Sequence, residues 1–416
     1  MARFIFLKLF CSLFVFNLAI LGYTQSTQAQ HDSRLLKAEL SKDVSAQTPL
    51  ATLALKDKSL TAGESDEIEG LIWKAYVAQQ KASRLKEHKS GVLSHGDLKM
   101  PFYYRVNGDA PEGGRSLFIS LHGGGGAPKQ VNDQQWENQK RLYEPKEGVY
   151  LVPRAPTNTW NLWHQGHIDP LFQRLIENMV LFESVNPNRV YVMGYSAGGD
   201  GVYQIGPRMA DRWAGAAMMA GHPNDSTPES LRNTAFTLHM GANDSAYNRN
   251  KVAAQWEKLL AGLQEKDPQG YTHLVKIHEG KGHWMDREDR VAVPWMAKHT
   301  RNPLPQRIVW KQDDVTHNRF YWLAVNNENR QGRTTTIVQR DGQTFNIERC
   351  DLQEIIIRLN DDLCNLNKPI TVSYQGHNIF RGKVTRSSEL IRQTILERGD
   401  YTSVFSAEIT VSIPSK

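Results

Sequence analysis

Cysteine is scarce in this chain of 416 residues, which contains three in all, and only Cys350 and Cys364 follow residue 29. Two cysteines exclude a scaffold built from several disulfides; the pair forms either one bridge or two buried thiols. Dense basic clusters are also lacking, since the formal charge of +6 is scattered along the sequence. We therefore expect no nucleic-acid partner.

Long hydrophobic runs are lacking after residue 29, where no segment approaches the ~20 apolar residues that span a bilayer. Before it, Arg3 and Lys8 precede the apolar stretch Leu9 to Leu21, and Thr27-Gln28-Ala29 offers small residues for cleavage. This pattern predicts a cleaved secretory signal peptide over residues 1–29. The expected location is secreted or periplasmic, with no stable membrane anchor after cleavage.

Phosphate-binding and metal-binding motifs are lacking too. Gly123 to Gly126 is not followed by Lys and Ser or Thr, as a P-loop would be, and no G-x-G-x-x-G has an acidic partner. His164, His167 and Asp169 lie close together, but their spacing matches no zinc motif. We expect neither a metal nor a cofactor.

The sequence does contain Gly194-Tyr195-Ser196-Ala197-Gly198, directly after the β-branched and apolar run Arg189 to Met193. A strand that ends in G-x-S-x-G and opens a helix is typical of a nucleophile elbow, in which the serine occupies a strained turn. Small residues on both sides let the strand and the helix approach closely. The pattern predicts Ser196 as a nucleophile.

A serine nucleophile needs a base, and the base needs an acid that orients it. His283 lies in a glycine-bracketed loop after a predicted strand, and Asp244 follows another predicted strand. The chain order Ser196, Asp244, His283 is the order of α/β-hydrolases. Asp200, on the helix after the serine, and Asp286 and Asp289, close to His283 in sequence, are weaker candidates for the acid.

The predicted strand Leu117 to Leu121 runs directly into His122 and four glycines. Their uncovered backbone amides suit an oxyanion hole, which we predict from Ala197, Gly123 and Gly124. Aromatic residues and one histidine near these loops are predicted to contact substrate: His122, Tyr195, Trp160, Trp163 and Trp284. For Trp160 and Trp163, core packing beneath the loop is an equal alternative.

Strand and helix patterns alternate between residues 98 and 302, which predicts an α/β domain with a doubly wound, mostly parallel sheet. After Pro303-Leu304-Pro305 the pattern becomes largely β, and we predict a smaller β-sandwich domain over residues 303–416. A helical segment is expected over residues 63–97, with Ser65 as its cap, and a polar arm or linker over residues 30–62. The strands predicted in the α/β domain are Lys99 to Val106, Ser116 to Leu121, Gly148 to Pro153, Val190 to Gly194, Ala214 to Met219, Ala235 to Met240 and His273 to His278.

The motifs Leu121 to Gly126, Pro187 to Gly199 and Gly282-His283 resemble the secreted polyhydroxybutyrate depolymerase and feruloyl esterase group of α/β-hydrolases. The dienelactone hydrolase and carboxylesterase branches are similar but less close. The resemblance covers residues 98 to 300. It implies a metal-independent acyl hydrolase in which Ser196, Asp244 and His283 act as nucleophile, acid and base. The added amino-terminal helix and carboxyl-terminal β region depart from that group.

Three functions are consistent with these patterns. The first is a serine esterase that cleaves carboxylic esters, of small molecules or of a polymer, through an acyl-enzyme. The second is a serine peptidase of prolyl-oligopeptidase type, although 416 residues leave no room for its amino-terminal propeller. The third is a non-catalytic recognition protein on a hydrolase fold. Covalent labelling of Ser196 separates the two enzymes from the third.

Overall fold

The computed structural model describes residues 31–56 and 59–414, so the predicted signal peptide lies outside the described residues. Within those ranges, no helix is both long enough and apolar enough to cross a membrane. The chain divides into two compact units. The first contains the described residues up to Ala82 together with Arg358–Ile370 and Gly382–Ile409; the second contains Ser83–Ile357, Thr371–Arg381 and the described residues from Thr410.

The second unit contains an eight-stranded sheet with the order β1-β2-β4-β3-β5-β6-β7-β8. Strands β1, β2 and β4 pair antiparallel, whereas β4, β3, β5, β6, β7 and β8 form a parallel series. The seven predicted strands are confirmed, and β1 is an additional edge strand. The strands are β1 (Val92–His95), β2 (Leu98–Asn107), β3 (Arg115–Leu121), β4 (Gly148–Pro153), β5 (Val185–Tyr195), β6 (Gly215–Met219), β7 (Ala235–Gly241) and β8 (His273–His278).

Helices cover this sheet because its central strands are apolar on both faces. Every residue of β4, β6 and β7 is buried, as parallel strands between helices require. Two clusters of buried side chains, one containing Trp163 and Phe236 and the other Phe118 and Met219, form the core. The helices that follow the strands are α3 (Lys129–Gln139), α4 (Ile168–Glu183), α5 (Ala197–Arg208), α6 (Arg249–Lys266) and α7 (Ala292–Met296). The α/β architecture is confirmed, and it fits an α/β-hydrolase.

Two smaller sheets follow residue 303. One has five strands in the order β16-β15-β13-β12-β9, and the other has four in the order β10-β11-β14-β17. A tight hairpin turn at Gly342-Gln343 joins two of these strands, since Asp341 pairs with Thr344 and Gly342 has a φ of 55°. The strands are β9 (Arg307–Lys311), β10 (Arg319–Phe320), β11 (Leu323–Ala324), β12 (Thr335–Asp341), β13 (Thr344–Cys350), β14 (Glu354–Leu359), β15 (Ile370–Tyr374), β16 (His377–Gly382) and β17 (Ala407–Ser412).

These strands do not by themselves establish a separate sandwich, so the β-sandwich and the boundary at residue 303 stay predictions. Cys350 and Cys364 are both buried thiols, which answers the question left open by the sequence. One helix interrupts these strands, α8 (Ser388–Arg398), and it is capped by Ser387, whose hydroxyl accepts a hydrogen bond from the Leu390 amide.

The first unit contains a helix over residues 31–40, here α1, although that segment shows no clear periodicity in sequence. Its Leu36 is fully buried, and the Ser388 hydroxyl donates a 2.7 Å hydrogen bond to the buried Asp32 carboxylate. The next helix, α2 (Ala62–Ser90), starts three residues before the predicted cap Ser65. Thr61 and Glu64 form a capping box instead, with reciprocal bonds of 2.8 and 3.3 Å between side chain and amide.

Candidate active site

Ser196 lies at the sharp turn between β5 and α5, at the carboxyl edge of the parallel strands. Its φ of 58° and ψ of −122° place it in a conformation that side chains rarely adopt. The turn is possible because its neighbours lack side chains: a Cβ on Gly194 would lie 2.2 Å from the Gly198 carbonyl oxygen. A Cβ on Gly198 would lie 2.2 Å from the Leu121 carbonyl oxygen. The predicted elbow geometry is therefore present.

The structure brings Ser196, His283 and Asp244 into one hydrogen-bonded chain. His283 Nε2 lies 2.9 Å from Ser196 Oγ, and His283 Nδ1 lies 2.7 Å from Asp244 Oδ2. The Asp244 side chain is only 2% exposed, whereas that of His283 is 44% exposed. A guanidinium nitrogen of Arg249 lies 3.8 Å from Asp244 Oδ1 and offsets the burial of that carboxylate. This is the geometry that the triad chemistry needs.

Asp244 and His283 meet because the loops after β7 and β8 pack without side chains between them. A Cβ on Gly241 would lie 2.0 Å from the Gly282 carbonyl oxygen. The Asn243 amide donates to the Lys281 carbonyl at 2.8 Å, which joins the two loops. Asp244 and His283 are 39 residues apart in sequence, but they lie on adjacent loops at one edge of the sheet.

The rival carboxylates have other partners. Asp200 accepts a 2.6 Å hydrogen bond from the His222 amide, and burial raises its pKa to about 6. Asp286 forms a 2.9 Å ion pair with Lys281. Asp289 accepts a short hydrogen bond from the buried Tyr143 hydroxyl. None of these three carboxylates is hydrogen-bonded to His283.

Tyr195 is nearly buried, and its hydroxyl belongs to the support of the histidine loop. The hydroxyl donates to the His283 carbonyl at 2.6 Å and accepts from the Met285 amide at 3.1 Å. Both of its hydrogen-bonding directions are therefore used within the protein. Tyr195 also lines the cleft beside Ser196, so its predicted substrate contact stays a prediction.

The loop after β3 lies beside the nucleophile, since a Cβ on Gly123 would be 3.2 Å from Ser196 Cβ. The Gly125 amide is already bonded to Asn132 Oδ1 at 3.0 Å. Within the described residues, no hydrogen bond occupies the amides of Gly123, Gly124 and Ala197. These are the three groups that the sequence predicts as oxyanion donors, and their role stays a prediction.

His122 does not have the substrate contact that the sequence predicts, because its side chain is fully buried. Its Nε2 accepts from the Ala155 amide at 3.1 Å, and its Nδ1 donates to the Gly123 carbonyl at 2.6 Å. Burial lowers the pKa of His122 to about 3, which keeps the ring neutral, as these two bonds require. His122 thus orients the peptide between Gly123 and Gly124.

The predicted tryptophans separate into two groups. Trp163 is fully buried in the core and donates from its ring nitrogen to the His122 carbonyl at 3.0 Å, so it forms no pocket wall. Trp160 is 63% exposed and packs over Gly125 and Gly126. Trp284 is 49% exposed and lies 5.7 Å from the Tyr195 ring. Only the latter two tryptophans are accessible.

A cleft of about 690 Å³ opens beside Ser196 and His283. Gly123, Gly124 and α3 form one side, and the loop of Trp284 forms another. Its size is that of a small-molecule site. Asp169, which is close to His164 and His167 in sequence, accepts hydrogen bonds from Arg208 at 2.5 Å and from His317 at 2.7 Å.

Asn132 is the residue of this site that the sequence analysis missed, because a buried asparagine on α3 has no sequence signature. Its side-chain nitrogen donates to the carbonyls of Gly125 and Ala127 at 3.0 Å each.

We expect Asn132→Ala to lower the free energy of unfolding by about 2 kcal/mol, because three backbone groups lose their partner. Urea unfolding measures this loss; an unchanged free energy of unfolding would contradict the role of Asn132 in holding the glycine loop.

Two buried neutral histidines make stability depend on pH. Burial lowers the pKa of His122 and of His239 to about 3, below the 6.5 of an unperturbed histidine. The unfolded chain therefore binds more protons between pH 6.5 and about 3, and the free energy of unfolding falls as pH falls through that window. At pH 5 we expect a loss of about 2 kcal/mol for each histidine. Asp200, with its raised pKa, opposes this by about 1 kcal/mol.

Urea unfolding at pH 7.5 and pH 5 measures this dependence. His239→Asn should remove about 2 kcal/mol of the difference between the two pH values. The matched control is His377→Asn, at an exposed position. Equal pH dependence in the wild type and in His239→Asn would contradict the buried neutral state.

Comparison with curated proteins finds a partial similarity in sequence to a depolymerase. The chain is 26% identical over 192 residues to poly(3-hydroxybutyrate) depolymerase of Ralstonia pickettii. The predicted resemblance is confirmed. The alignment covers 41% of this chain and 39% of the relative, so the chain spans well under half the length of that protein. No protein-family profile matches the chain.

Solved structures similar to this chain include a thermostable esterase, with 17% identity and a TM-score of 0.40 over 50% of this chain and 62% of the other. A ferulic acid esterase aligns with 13% identity and a TM-score of 0.32 over 50% and 95% of the two chains. An acetyl xylan esterase from Paenibacillus sp. R4 aligns with 11% identity and a TM-score of 0.35 over 50% and 82%. The fold assignment therefore depends on the strand order of the eight-stranded sheet and not on these alignments.

Proposed function

We propose that this protein is a serine hydrolase that cleaves carboxylic esters through an acyl-enzyme. The observation that carries the proposal is the hydrogen-bonded chain Asp244–His283–Ser196, which ends at a serine on a strained turn beside unoccupied amides. The similarity to a poly(3-hydroxybutyrate) depolymerase supports the same reaction class. The predicted secreted or periplasmic location belongs to this proposal and rests on the sequence of residues 1–29.

In the first half-reaction, Ser196 Oγ attacks the ester carbonyl carbon while His283 Nε2 takes the hydroxyl proton. Asp244 accepts the hydrogen bond from His283 Nδ1–H, which fixes the tautomer and stabilises the imidazolium that forms. The amides of Ala197 and of Gly123 or Gly124 stabilise the oxyanion, each contributing roughly 3 kcal/mol. His283 then protonates the leaving alcohol, and the acyl group stays on Ser196.

In the second half-reaction, a water molecule attacks the acyl carbonyl while His283 again accepts a proton. The new oxyanion uses the same amides, and collapse of the intermediate returns the proton to Ser196 Oγ as the acid leaves. His283 can exchange protons with substrate and water because its ring is half-exposed at the cleft. His122 and Asn132 act through the backbone, since each holds the glycine loop in place.

The test combines covalent labelling with turnover. A fluorophosphonate probe should label the wild-type protein on Ser196, and peptide mapping identifies the labelled residue. A panel of 4-nitrophenyl esters of increasing acyl length, with acetylated and feruloylated sugars, should show ester cleavage by the same protein. Absence of labelling together with absence of turnover would favour a non-catalytic recognition protein. Cleavage of peptide substrates instead of esters would favour the peptidase.

A further inference from the structure

The cleft beside Ser196 contains two arginines that the proposed mechanism does not use. Arg141 follows α3, and Arg287 follows the loop of His283; both line the cleft and both are exposed. Among the described residues, neither guanidinium has a carboxylate within 4 Å. The two charges therefore face the cleft without a protein counter-ion.

The acidic neighbours of these arginines in sequence are bound elsewhere. Asp286 and Glu288, on either side of Arg287, each lie 2.9 Å from the ammonium group of Lys281. Glu137, one helical turn before Arg141, lies 2.6 Å from the ammonium group of Lys140. The chain thus places acids next to both arginines in sequence but pairs those acids with lysines.

The rest of the cleft does not compensate the charge. No aspartate or glutamate lines it, and its other polar side chains on α3 are the amides of Gln135, Asn138 and Gln139. A concave surface with charges of one sign concentrates the electrostatic potential inside the cleft. The side chains that line this cleft therefore carry a positive formal charge and no negative one.

Arg287 is held at the cleft by an unusual backbone. Asp286 and Arg287 both have positive φ, 52° and 64°, a conformation that residues with a side chain rarely adopt. The loop is fixed from both sides: the Met285 amide bonds the buried Tyr195 hydroxyl at 3.1 Å, and the Glu288 amide bonds the Met285 carbonyl at 2.9 Å. The same loop thus sets the positions of His283 and of Arg287.

We propose that Arg141 and Arg287 bind a carboxylate on the substrate, so that the preferred substrate is an ester whose acyl or alcohol part carries an anionic group. The inference rests on the proposed ester hydrolysis, because the anion must belong to a molecule whose ester reaches Ser196. Guanidinium groups suit this role, since they stay charged and can donate two parallel hydrogen bonds to one carboxylate.

The experiment compares two acetates of the same shape, anionic 4-acetoxybenzoate and neutral 4-acetoxybenzamide. Their kcat/KM ratio cancels effects on the triad that both substrates share. Arg141→Gln and Arg287→Gln should each lower the anionic-to-neutral ratio roughly threefold to fivefold, as expected for exposed ion pairs. The double variant should lower it by about tenfold. The matched control Arg290→Gln removes the same charge three residues from Arg287, outside the cleft, and should leave the ratio unchanged.

Ionic strength provides a second measurement on the wild-type protein. Raising the salt concentration from 20 to 500 mM should lower kcat/KM for the benzoate severalfold and leave that for the benzamide nearly constant. Fluorophosphonate labelling and benzamide hydrolysis, with an unchanged ratio in the double variant and no selective salt effect, would overturn this inference alone. Absence of labelling and of hydrolysis of both acetates would overturn the proposed function and this inference with it.

Discussion

Ser196→Ala should lower kcat on 4-nitrophenyl esters by about 10⁴-fold or more and abolish fluorophosphonate labelling. The hydroxyl is the end of the hydrogen-bonded chain from Asp244, so its removal leaves the base with no nucleophile to activate. The fold should remain, because alanine keeps the Cβ at the strained position and the elbow depends on Gly194 and Gly198. Thermal unfolding of the variant should be close to that of the wild type.

The matched control is Ser245→Ala, an exposed serine next to Asp244 that is outside the hydrogen-bonded chain. It should retain activity within about twofold, as surface changes usually do. Turnover by Ser196→Ala within tenfold of the wild type would refute the nucleophile assignment. Comparable losses in both serine variants would point to a general disturbance of the loops.

The central sheet and the meeting of the triad side chains could be predicted from sequence because both follow from strand ends. Parallel strands end at one edge of a sheet, so residues after β5, β7 and β8 are brought together whatever their separation in sequence. Apolar strand patterns and glycine-rich turns mark those ends. The chain order of Ser196, Asp244 and His283 then limits the acid and base to few candidates.

The environment of each side chain could not be predicted in the same way. His122, Trp160 and Trp163 look equally suited to substrate in sequence, but only Trp160 is exposed. The burial of a loop side chain depends on which helices and loops pack over it, and this packing is determined by residues throughout the unit. The Tyr195 hydroxyl meets a carbonyl and an amide 88 and 90 residues away, a relation that no local pattern records.

The amino-terminal cap of α2 could not be predicted from residue type either. Thr61 and Ser65 are both good caps by residue type, and acidic residues follow each of them. Glu64 decides between them, because its carboxylate returns to the Thr61 amide and completes a capping box. Ser65 is instead buried in the first turn of the helix. Residues 31–40 form a helix although their periodicity is weak, since Leu36 and Asp32 find partners within the first unit.

Asp244→Asn should lower kcat by roughly 10³-fold to 10⁴-fold with little change in KM. An asparagine amide would donate to His283 Nδ1, and the ring would then carry its proton on Nε2, where it must accept the proton of Ser196. The imidazolium would also lose its buried anion 2.7 Å away. Substrate contacts are not altered, because the Asp244 side chain is 2% exposed. Initial rates measured over a range of 4-nitrophenyl butyrate concentrations give kcat and KM separately.

Asp286→Asn is the matched control, because it makes the same chemical change three residues from His283 on a carboxylate that pairs with Lys281. That variant should keep kcat within about threefold of the wild type, since exposed ion pairs contribute little. Asp200→Asn should also be the milder change, because its carboxylate accepts from the His222 amide and does not bond His283. A larger loss of kcat in Asp286→Asn or Asp200→Asn than in Asp244→Asn would transfer the role of the acid to that residue. The hydrogen bond of 2.7 Å to His283 would then be only structural.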